Sequence, residues 1–113
     1  MTCIFCNIAN KTIPTNFVYE DEAVVAFRDI HPQAPEHILI IPKKHIDSLK
    51  HSEPEDQLLL GKILLTAKKI ANDLGHDEKG YRLVMNIAEH GGQTVYHMHL
   101  HLLAGKQMMW PPG

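Results

Sequence analysis

Three histidines alternate with apolar residues near the carboxyl end of the chain, in the segment YHMHLHLL (Tyr96–Leu103). Successive side chains of a β-strand point to opposite faces of a sheet. This period predicts a strand over Val95–Leu103 whose apolar residues face a core. The histidines His97, His99 and His101 would then share the opposite face. Because threonine, lysine or glutamate would suffice for a solvated face, three imidazoles in register favour a chemical role.

Other segments of the chain predict a sheet that this strand can join. Runs rich in β-branched and aromatic residues, separated by polar or proline-containing stretches, are typical of strands joined by turns. Asp21 and Glu22 lie between the first two runs, which predicts a hairpin. Residues 3–9 are expected to form one short helical turn. The predicted strands are Phe17–Glu20, Ala23–Arg28, His37–Ile41, Tyr81–Asn86 and Val95–Leu103.

One long helix is predicted between Glu53 and Leu74. Ser52 and Glu55 fit the S-x-x-E capping box at its start, and Gly75 follows its last turn, where a C-cap glycine belongs. Apolar residues at helical spacing give this helix one apolar face that can cover the sheet. The predicted face consists of Leu58, Leu59, Ile63, Ala67, Ile70, Ala71 and Leu74.

The order of these elements predicts an α+β protein. Strands and helix are segregated along the chain rather than alternating, which favours a largely antiparallel sheet. We therefore expect five strands, one long helix and a short N-terminal helix. The 113 residues have room for one hydrophobic core, so we expect a single domain over residues 1–113. Because one helix covers only one face of the sheet, the other face must hold a site, a partner chain or water.

Composition excludes several classes of function. The formal net charge is −2, with 11 Lys and Arg against 13 Asp and Glu, which gives no basic surface for nucleic acid or an anionic membrane. No apolar run approaches the roughly 20 residues needed to cross a bilayer. The start MTCIFCNIANK lacks the basic and apolar regions of a signal peptide. We therefore expect a cytoplasmic protein that binds neither nucleic acid nor membrane.

The histidine face allows two kinds of chemistry. Histidines at i and i+2 on a strand can chelate a metal such as zinc. Alternatively, neutral imidazoles serve as nucleophile and proton carriers near neutral pH. The loop HGGQT (His90–Thr94) precedes the strand. Its glycines would let backbone N–H groups approach a ligand, and Thr94 adds a hydroxyl, so this loop is a candidate anion cradle.

At this point the sequence resembles a known family. HMHLHLL (His97–Leu103) matches the histidine triad pattern of the HIT superfamily. The segments AFRDIHPQAPEHILIIPKKHI, GYRLVMN and GGQTVYHMHLHLLAGKQMMWPPG are similar to the HINT branch, the histidine triad nucleotide-binding proteins. The similarity covers essentially the whole chain in unbroken order, and the triad together with the WPPG tail is very specific. The resemblance implies the HIT fold.

The resemblance also implies a homodimeric purine nucleoside phosphoramidase. Such a hydrolase cleaves the P–N bond of adenosine or guanosine 5′-phosphoramidates and releases AMP or GMP and an amine. By similarity, His99 is the nucleophile and forms a nucleotidyl-histidine intermediate that water hydrolyses. His101 would contact the phosphate and take part in proton transfer, and histidine rather than glutamine at this position favours hydrolysis over transfer. His97 and His37 complete the implied catalytic group, and no cofactor is required for catalysis.

A set of nucleotide contacts follows from the same resemblance. Asp29 and Ile30 match the position that binds the ribose, and Asn86 matches a residue near the ribose and phosphate. Trp110 resembles the HINT C-terminus that reaches toward the site of the partner subunit. Contacts near the phosphate are implied for Gly92, Gln93, Thr94, His99 and His101. Candidates for the base pocket, for which plain core packing is the stronger alternative, are Phe5, Ile8, Phe17, Phe27 and Leu39.

Two cysteines near the start, Cys3 and Cys6, form a C-x-x-C pair. In a reducing compartment such a pair is more often metal-binding or redox-active than a structural disulfide. Some HIT proteins with this pair bind zinc through both cysteines, a histidine matching His45 and the first triad histidine, here His97. The resemblance therefore implies a closed structural zinc site, with a reduced thiol pair as the alternative. A catalytic metal at the triad itself is not expected, because no carboxylate or third ligand is evident nearby.

Three other functions stay open from the sequence. The first is a dinucleoside polyphosphate hydrolase of the same superfamily, against which the WPPG tail argues. The second is a nucleotide-binding regulatory or scaffold protein in which catalysis is incidental. The third is a metal-binding module that uses the triad and the cysteines.

Overall fold

A computed structural model describes residues 3–113 of the chain. It contains a short helix at the start, five strands, two 3₁₀ turns and one long helix. In chain order these are α1 (Ile4–Ala9), β1 (Phe17–Glu20), β2 (Val24–Arg28), β3 (Glu36–Pro42), the 3₁₀ turns Leu49–His51 and Pro54–Asp56, α2 (Gln57–Asp73), β4 (Arg82–Val84) and β5 (Leu100–Ala104). Within residues 3–113, no helix is long and apolar enough to span a membrane.

The five strands form one sheet in the order β1-β2-β3-β5-β4, and all four pairings are antiparallel. The α+β class, the strand count and the two predicted helices are therefore confirmed. β3 lies at the centre of the sheet, and β5 pairs with it so that His101 stands opposite Leu39. This register places the last histidine of the triad in the interior of the sheet rather than at an edge.

Strand alternation divides the core into two clusters on opposite faces of the sheet. One cluster packs against α2, and its buried members include Val24, Ala26, Ile38, Ile40, Ile63, Ala67, Ile70, Ala71, Met98, Leu100 and Leu102. The other cluster packs against α1 and consists of Phe5, Ile8, Ala9, Val25, Phe27, Leu39 and Ile41. The prediction that Met98, Leu100 and Leu102 face the long helix is confirmed, and the triad lies on the α1 face.

β5 is shorter than the strand predicted over residues 95–103. Residues 95–99 are not part of the ladder, and the N–H of Met98 instead donates to the carbonyl oxygen of Ile46 at 2.7 Å. The period of two nevertheless persists, because Met98 is buried in the α2 cluster while the first two triad histidines contact α1. Residues 95–97 form a bend, and the contact of Met98 with the segment after β3 fixes the chain just before the strand begins.

The start of α2 differs from the sequence prediction. Glu53 and Asp56 make the capping box around a 3₁₀ turn, whereas Ser52 and Glu55 were expected to make it. The Nζ of Lys44 lies 2.7 Å from Oδ1 of Asp56, so a residue from outside the helix fixes this carboxylate. The predicted box is wrong because a long-range ion pair selects a different carboxylate from the one that local spacing favours.

The end of α2 agrees with the prediction. Leu74 is the C-cap, and Gly75 follows it with a φ of +85°, a conformation that favours glycine. The N–H groups of Gly75 and His76 donate to the carbonyl oxygens of Asn72 and Ala71. The last turn of the helix is therefore closed by backbone hydrogen bonds after the predicted glycine.

Most of the predicted apolar face of α2 is buried, but Leu58 is not. Its side chain is 88% exposed, so its assignment to the buried face is wrong. Three consecutive leucines open the helix, and helix geometry turns only Leu59 and Leu60 toward the core. Leu65 is also outward-facing and exposed. The outer side of α2 therefore carries apolar surface that this single chain does not cover.

Candidate active site

His99 lies at the centre of the triad, buried between α1 and the sheet. Its Nδ1 lies 2.9 Å from the backbone carbonyl oxygen of His97. Because a carbonyl only accepts, Nδ1 carries the ring proton in this contact and Nε2 keeps its lone pair. Phe5 packs edge-on against the ring, with the centroids 5.2 Å apart, and holds it in this orientation. The middle histidine therefore presents an unprotonated nitrogen, as a nucleophile requires.

His101 stands beside the middle histidine, with the ring centroids of His99 and His101 4.9 Å apart. Nδ1 of His101 lies 2.9 Å from Nε2 of His37, which is buried. The same Nε2 of His37 lies 3.5 Å from Oδ2 of Asp29. The structure thus brings together His99, two further predicted catalytic histidines and the predicted ribose-binding carboxylate.

Asp29 reaches the triad because β2 ends beside the start of β3. The N–H of Asp29 donates to the carbonyl oxygen of His37 at 2.9 Å. A carboxylate oxygen of Asp29 and ring nitrogens of His37 and His101 lie within 4.8 Å of one another. The expectation that no carboxylate or third ligand lies near the triad is therefore wrong, since strand pairing brings in a residue that is distant in sequence.

Burial lowers the pKa of the histidines at this site. It is the main cause for His99, where the Asp29 carboxylate acts in the opposite direction. For His101, burial together with the charges of His99 and His37 lowers the pKa to about 4. The pKa of His37 is also lowered by burial, against the effect of Asp29. At neutral pH the imidazoles are therefore neutral, and His99 needs no separate base to expose its lone pair.

The loop before the triad folds tightly after β4. The side-chain amide of Asn86 donates to the carbonyl oxygen of Gly91 at 2.7 Å. A side chain at Gly91 would clash with the backbone of Ile87, and Gly92 has a φ of +78°, so both positions require glycine. Asn86, which was predicted to contact the ribose or phosphate, therefore also fixes the shape of this loop.

Gln93 anchors the same loop from inside the protein. Its buried amide Nε2 donates to the carbonyl oxygens of Asp47 at 2.6 Å and Val95 at 3.1 Å. Its Oε1 accepts from the N–H of Ala88 at 3.0 Å, and its own N–H donates to the Ala88 carbonyl. The side-chain amide of Gln93 thus supports the loop, and its predicted contact with a nucleotide stays a prediction.

The loop predicted to bind an anion offers fewer free backbone N–H groups than the sequence suggests. The N–H groups of Gly92 and Gln93 donate to the carbonyl oxygens of Glu89 and Ala88 within the loop. These two N–H groups are therefore already engaged within the turn and do not donate to a phosphate. The loop residue nearest the triad in sequence, Thr94, is exposed and carries the hydroxyl that was predicted to bind the phosphate.

The five apolar candidates for a base pocket form one layer on the α1 face. Phe5, Ile8, Phe27 and Leu39 are buried there, and Phe17 packs partly buried against them. Core packing accounts for the four buried side chains, and a base contact stays a prediction for all five. In contrast, the side chain of Ile30 is 86% exposed just beyond β2, beside the carboxylate of Asp29.

A second cluster lies between α1 and the start of the triad. Nε2 of His97 donates to the carbonyl oxygen of Pro42 at 2.8 Å, so its Nδ1 carries the lone pair that faces the cluster. This Nδ1 lies 3.4 Å from Sγ of Cys3 and 3.5 Å from Sγ of Cys6. It also lies 3.1 Å from Nδ1 of His45, which is 3.2 Å from Sγ of Cys6. The structure therefore brings together all four predicted zinc ligands.

The spacing of these four atoms suits a tetrahedral metal site. Metal bonds of about 2.0–2.1 Å to nitrogen and about 2.3 Å to sulfur imply ligand separations of about 3.3–3.8 Å. Four of the six separations, from 3.1 to 3.5 Å, are at or just below that range, and all four ligand atoms lie within 4.8 Å of one another. Two thiolates and two imidazoles are ligands that zinc prefers. Four protein ligands would leave no open position for water, so such a site would be structural.

The C-terminal tail runs along the surface near β4. The guanidinium of Arg82 donates to the carbonyl oxygen of Met109 at 2.8 Å, which fixes the tail at that point. The next residue, Trp110, is 79% exposed. Its indole is therefore available to a partner chain, and its predicted contact with a second subunit's site stays a prediction.

Three positioning contacts at the site were not predicted, because they use backbone atoms. The carbonyl oxygens of Pro42 and His97 orient two triad histidines. The N–H of Gln33 donates to Nδ1 of His37 at 3.0 Å. Main-chain donors and acceptors leave no signature in residue type, and only the pairing of strands and loops reveals them.

Fold and site together define the class of protein. An antiparallel five-stranded sheet with α1 and α2 on opposite faces carries on its α1 side a histidine triad of two buried residues and one partly buried residue. The HIT domain family model matches residues 10–108, and the chain belongs to the HIT family.

Individual relatives are similar over nearly the whole chain. An uncharacterised HIT-like protein of Synechococcus elongatus is 54% identical over 110 residues, which cover 97% of this chain and 96% of that protein. A HIT family hydrolase from Legionella pneumophila has a TM-score of 0.97 at 56% identity, covering 99% of this chain and 100% of that one. A histidine triad nucleotide-binding protein from Candida albicans has a TM-score of 0.82 at 35% identity, covering 97% and 83%. The comparisons support a hydrolase of the HIT family, without distinguishing its HINT branch.

Proposed function

We propose that this chain is a purine nucleoside phosphoramidase of the HINT type, which hydrolyses the P–N bond of adenosine or guanosine 5′-phosphoramidates. The observation that carries the proposal is the fixed tautomer of His99, whose Nδ1 is bound to the His97 carbonyl at 2.9 Å. This contact leaves Nε2 free to attack phosphorus. The neighbouring His101 and the exposed Thr94 supply polar groups for the phosphate oxygens.

The reaction divides into two displacements at phosphorus. In the first, Nε2 of His99 forms a bond to phosphorus while the P–N bond breaks, and the departing amine takes a proton from solvent. The resulting nucleotidyl-imidazolium keeps its proton on Nδ1, which donates to the His97 carbonyl oxygen, and this hydrogen bond stabilises the charge on the ring. In the second, water attacks phosphorus, the bond to Nε2 breaks, and the nucleoside monophosphate leaves. His99 returns to its neutral form and the proton of the water goes to solvent.

Recognition of the ribose is assigned to Asp29. Its Oδ1 accepts from the N–H of His31 at 2.8 Å, which orients the carboxylate. Oδ2 points towards His37 and can accept from the ribose hydroxyls. The exposed Ile30 lies next along the chain and offers apolar surface for the base. This arrangement supports a nucleoside monophosphoryl group lying between the end of β2 and the triad.

The test of this proposal is hydrolysis of adenosine 5′-phosphoramidate by the wild type and by His99→Ala. We expect the variant to lose on the order of 10⁴-fold or more in kcat, because the attacking atom is removed. His51→Ala is the matched control, since His51 is an exposed histidine on a 3₁₀ turn and should keep wild-type turnover. Turnover that persists in His99→Ala contradicts the assignment, and AMP binding without turnover in the wild type favours the regulatory alternative.

The zinc proposal concerns Cys3, Cys6, His45 and His97. A zinc ion held by these four residues would tie α1 to the segment after β3 and to the first triad histidine. His97 would then contribute structure rather than proton transfer, while its backbone carbonyl orients His99. Elemental analysis of the purified protein is the test, and we expect one zinc per chain. A metal-free wild type contradicts the proposal and favours the alternative, in which Cys3 and Cys6 are a reduced thiol pair.

A homodimer is proposed from the resemblance and from surface that the single chain leaves uncovered. Leu58 and Leu65 on α2 and Trp110 in the tail are large apolar side chains exposed to solvent. Exposed apolar side chains of this size are candidates for contact with a second chain. Light scattering should give the mass of two chains, and Trp110→Ala should weaken substrate binding if the tail reaches the other subunit. A monomer at micromolar concentration contradicts the proposed homodimer. The cytoplasmic location stays a prediction from the sequence.

A further inference from the structure

A chain of hydrogen bonds leads from the backbone of Gln33 to His101. The N–H of Gln33 lies 3.0 Å from Nδ1 of His37, and Nε2 of His37 lies 2.9 Å from Nδ1 of His101. The remaining ring nitrogen, Nε2 of His101, is buried and has no hydrogen-bond partner among residues 3–113. Each link restricts where the ring protons can be, because a nitrogen that accepts a hydrogen bond cannot also carry a proton.

The first link fixes the form of His37. A backbone N–H is always a donor, so Nδ1 of His37 must accept and is unprotonated. The imidazolium form, which needs a proton on both nitrogens, is excluded by the same contact. His37 is therefore neutral with its proton on Nε2, and burial, which lowers its pKa against the effect of Asp29, agrees.

The second link then fixes His101. Nε2–H of His37 is directed at Nδ1 of His101, so that Nδ1 accepts and the proton of His101 lies on Nε2. We infer that Gln33 and His37 set the tautomer of His101, so that its neutral ring presents a fixed Nε2–H donor to a phosphate oxygen beside His99. This inference rests on the proposed phosphoramidase function for the identity of the acceptor. Gln33 and His37 are positioning residues that act through His101.

The same geometry decides against a metal at Asp29, His37 and His101, whose ligand atoms cluster within 4.8 Å. Coordination by Nε2 of His37 would require that nitrogen to be unprotonated. Its proton would then move to Nδ1, where the N–H of Gln33 already points. The Gln33 contact therefore makes this group a hydrogen-bond relay and not a ligand set.

The relay gives His101 a different role from that of a proton-transferring acid. A neutral imidazole that surrendered its Nε2 proton would become an anion. The proton on Nε2 of His37 could replace it only by leaving His37 as the anion, because Nδ1 of His37 accepts from Gln33 and carries no proton. His101 therefore stabilises charge on the phosphate by a hydrogen bond, and the departing amine takes its proton from solvent. The buried and unpartnered Nε2–H is satisfied when a phosphate oxygen accepts from it.

The tautomers can be measured directly in the ligand-free, metal-loaded chain. Two-bond ¹H–¹⁵N correlation spectra distinguish Nδ1–H, Nε2–H and doubly protonated histidine rings. We expect His37 and His101 to be neutral Nε2–H rings at pH 7. A proton on Nδ1 of His101, or an imidazolium at either residue, overturns the inference. This readout does not depend on turnover, so an Nε2–H ring at His101 in a protein that fails to hydrolyse phosphoramidates upholds the relay and refutes the substrate class.

Two variants of His37 separate positioning from simple structural support. His37→Gln keeps an oxygen to accept from Gln33 and an amide N–H to donate to His101, whereas His37→Leu removes both. We expect His37→Gln to retain the Nε2–H ring at His101 and most of kcat. His37→Leu should no longer hold His101 in the Nε2–H form, and it should lower kcat on the order of 10²-fold, with a smaller change in KM. An unchanged His101 ring and kcat in a folded His37→Leu protein contradict the inference.

Discussion

Lowering the pH from 7 to 5 should weaken the fold through His101. In an unfolded chain, an imidazole has a pKa of about 6.5 and takes up a proton in this interval. In the folded chain, burial and the neighbouring charges of His99 and His37 lower the pKa of His101 to about 4, so its ring stays mostly neutral at pH 5. Because the unfolded chain then binds more protons, the contribution of His101 to the free energy of unfolding is fully present above about pH 6.5. It falls as the pH drops toward about 4.

The size of this effect follows from the two pKa values of His101. The difference between 6.5 and about 4 corresponds to about 3 kcal/mol when fully expressed, of which about 2 kcal/mol is lost between pH 7 and 5. Burial lowers the pKa of His37 as well, which adds an effect of the same sign. The carboxylate of Asp56, whose pKa Lys44 lowers, loses its contribution only at more acidic pH, near and below about pH 4.

Urea unfolding of the wild type and of His101→Gln at pH 7 and pH 5 isolates this contribution. Glutamine does not titrate, so the wild type should lose about 2 kcal/mol more than the variant over this interval. Both proteins are compared at the same zinc concentration, so that loss of metal at pH 5 affects them equally. His51→Gln, at an exposed site, should behave as the wild type. If His101→Gln loses as much stability as the wild type, burial does not hold His101 neutral and the reasoning is refuted.

Three further predictions concern the support of the site. Gln93→Leu removes two hydrogen bonds close to the loop and one to Asp47 outside it, and we expect a loss of about 2–4 kcal/mol in urea unfolding together with lower kcat; unchanged stability would contradict the anchoring role. Cys3→Ser should reduce bound zinc measured by elemental analysis and lower the melting temperature, whereas zinc content equal to the wild type would exclude Cys3 as a ligand. Ile63→Ala should cost about 2–4 kcal/mol in the same unfolding assay, while Leu58→Ala should cost under about 0.5 kcal/mol, since Ile63 is buried and Leu58 is exposed; equal costs would contradict the packing of α2.

Local patterns predicted most of the fold. Alternation placed Met98, Leu100 and Leu102 under the long helix, and the glycine after α2 marked its end. The features that escaped prediction depend on residues that meet only in three dimensions. The strand was predicted too long because Val95, Tyr96 and His97 bend and Met98 bonds to Ile46 outside the ladder, which an alternating pattern cannot reveal. Leu58 was misplaced because three leucines in a row fit more than one helical face.

The residue types at the site were easier to predict than the hydrogen bonds that join them. The triad and the cysteine pair were visible as residue types at characteristic spacings, and the fold brings all of them together. The hydrogen bonds by which Gln93 anchors the loop could not be predicted from the sequence, because Asp47, to which its side chain donates, is distant along the chain. The tautomers of the histidines depend on backbone groups at Pro42, His97 and Gln33, which carry no signal in residue type.

Trapping the covalent intermediate tests the central claim most directly. The protein is mixed with excess adenosine 5′-phosphoramidate, quenched within milliseconds, digested, and analysed by mass spectrometry for a nucleotidyl group on the peptide that contains the triad. The account predicts an adenylyl group on Nε2 of His99, present during turnover and absent in His99→Ala. Rapid turnover with no adduct, or an adduct on His97 or His101 that persists in His99→Ala, would contradict it.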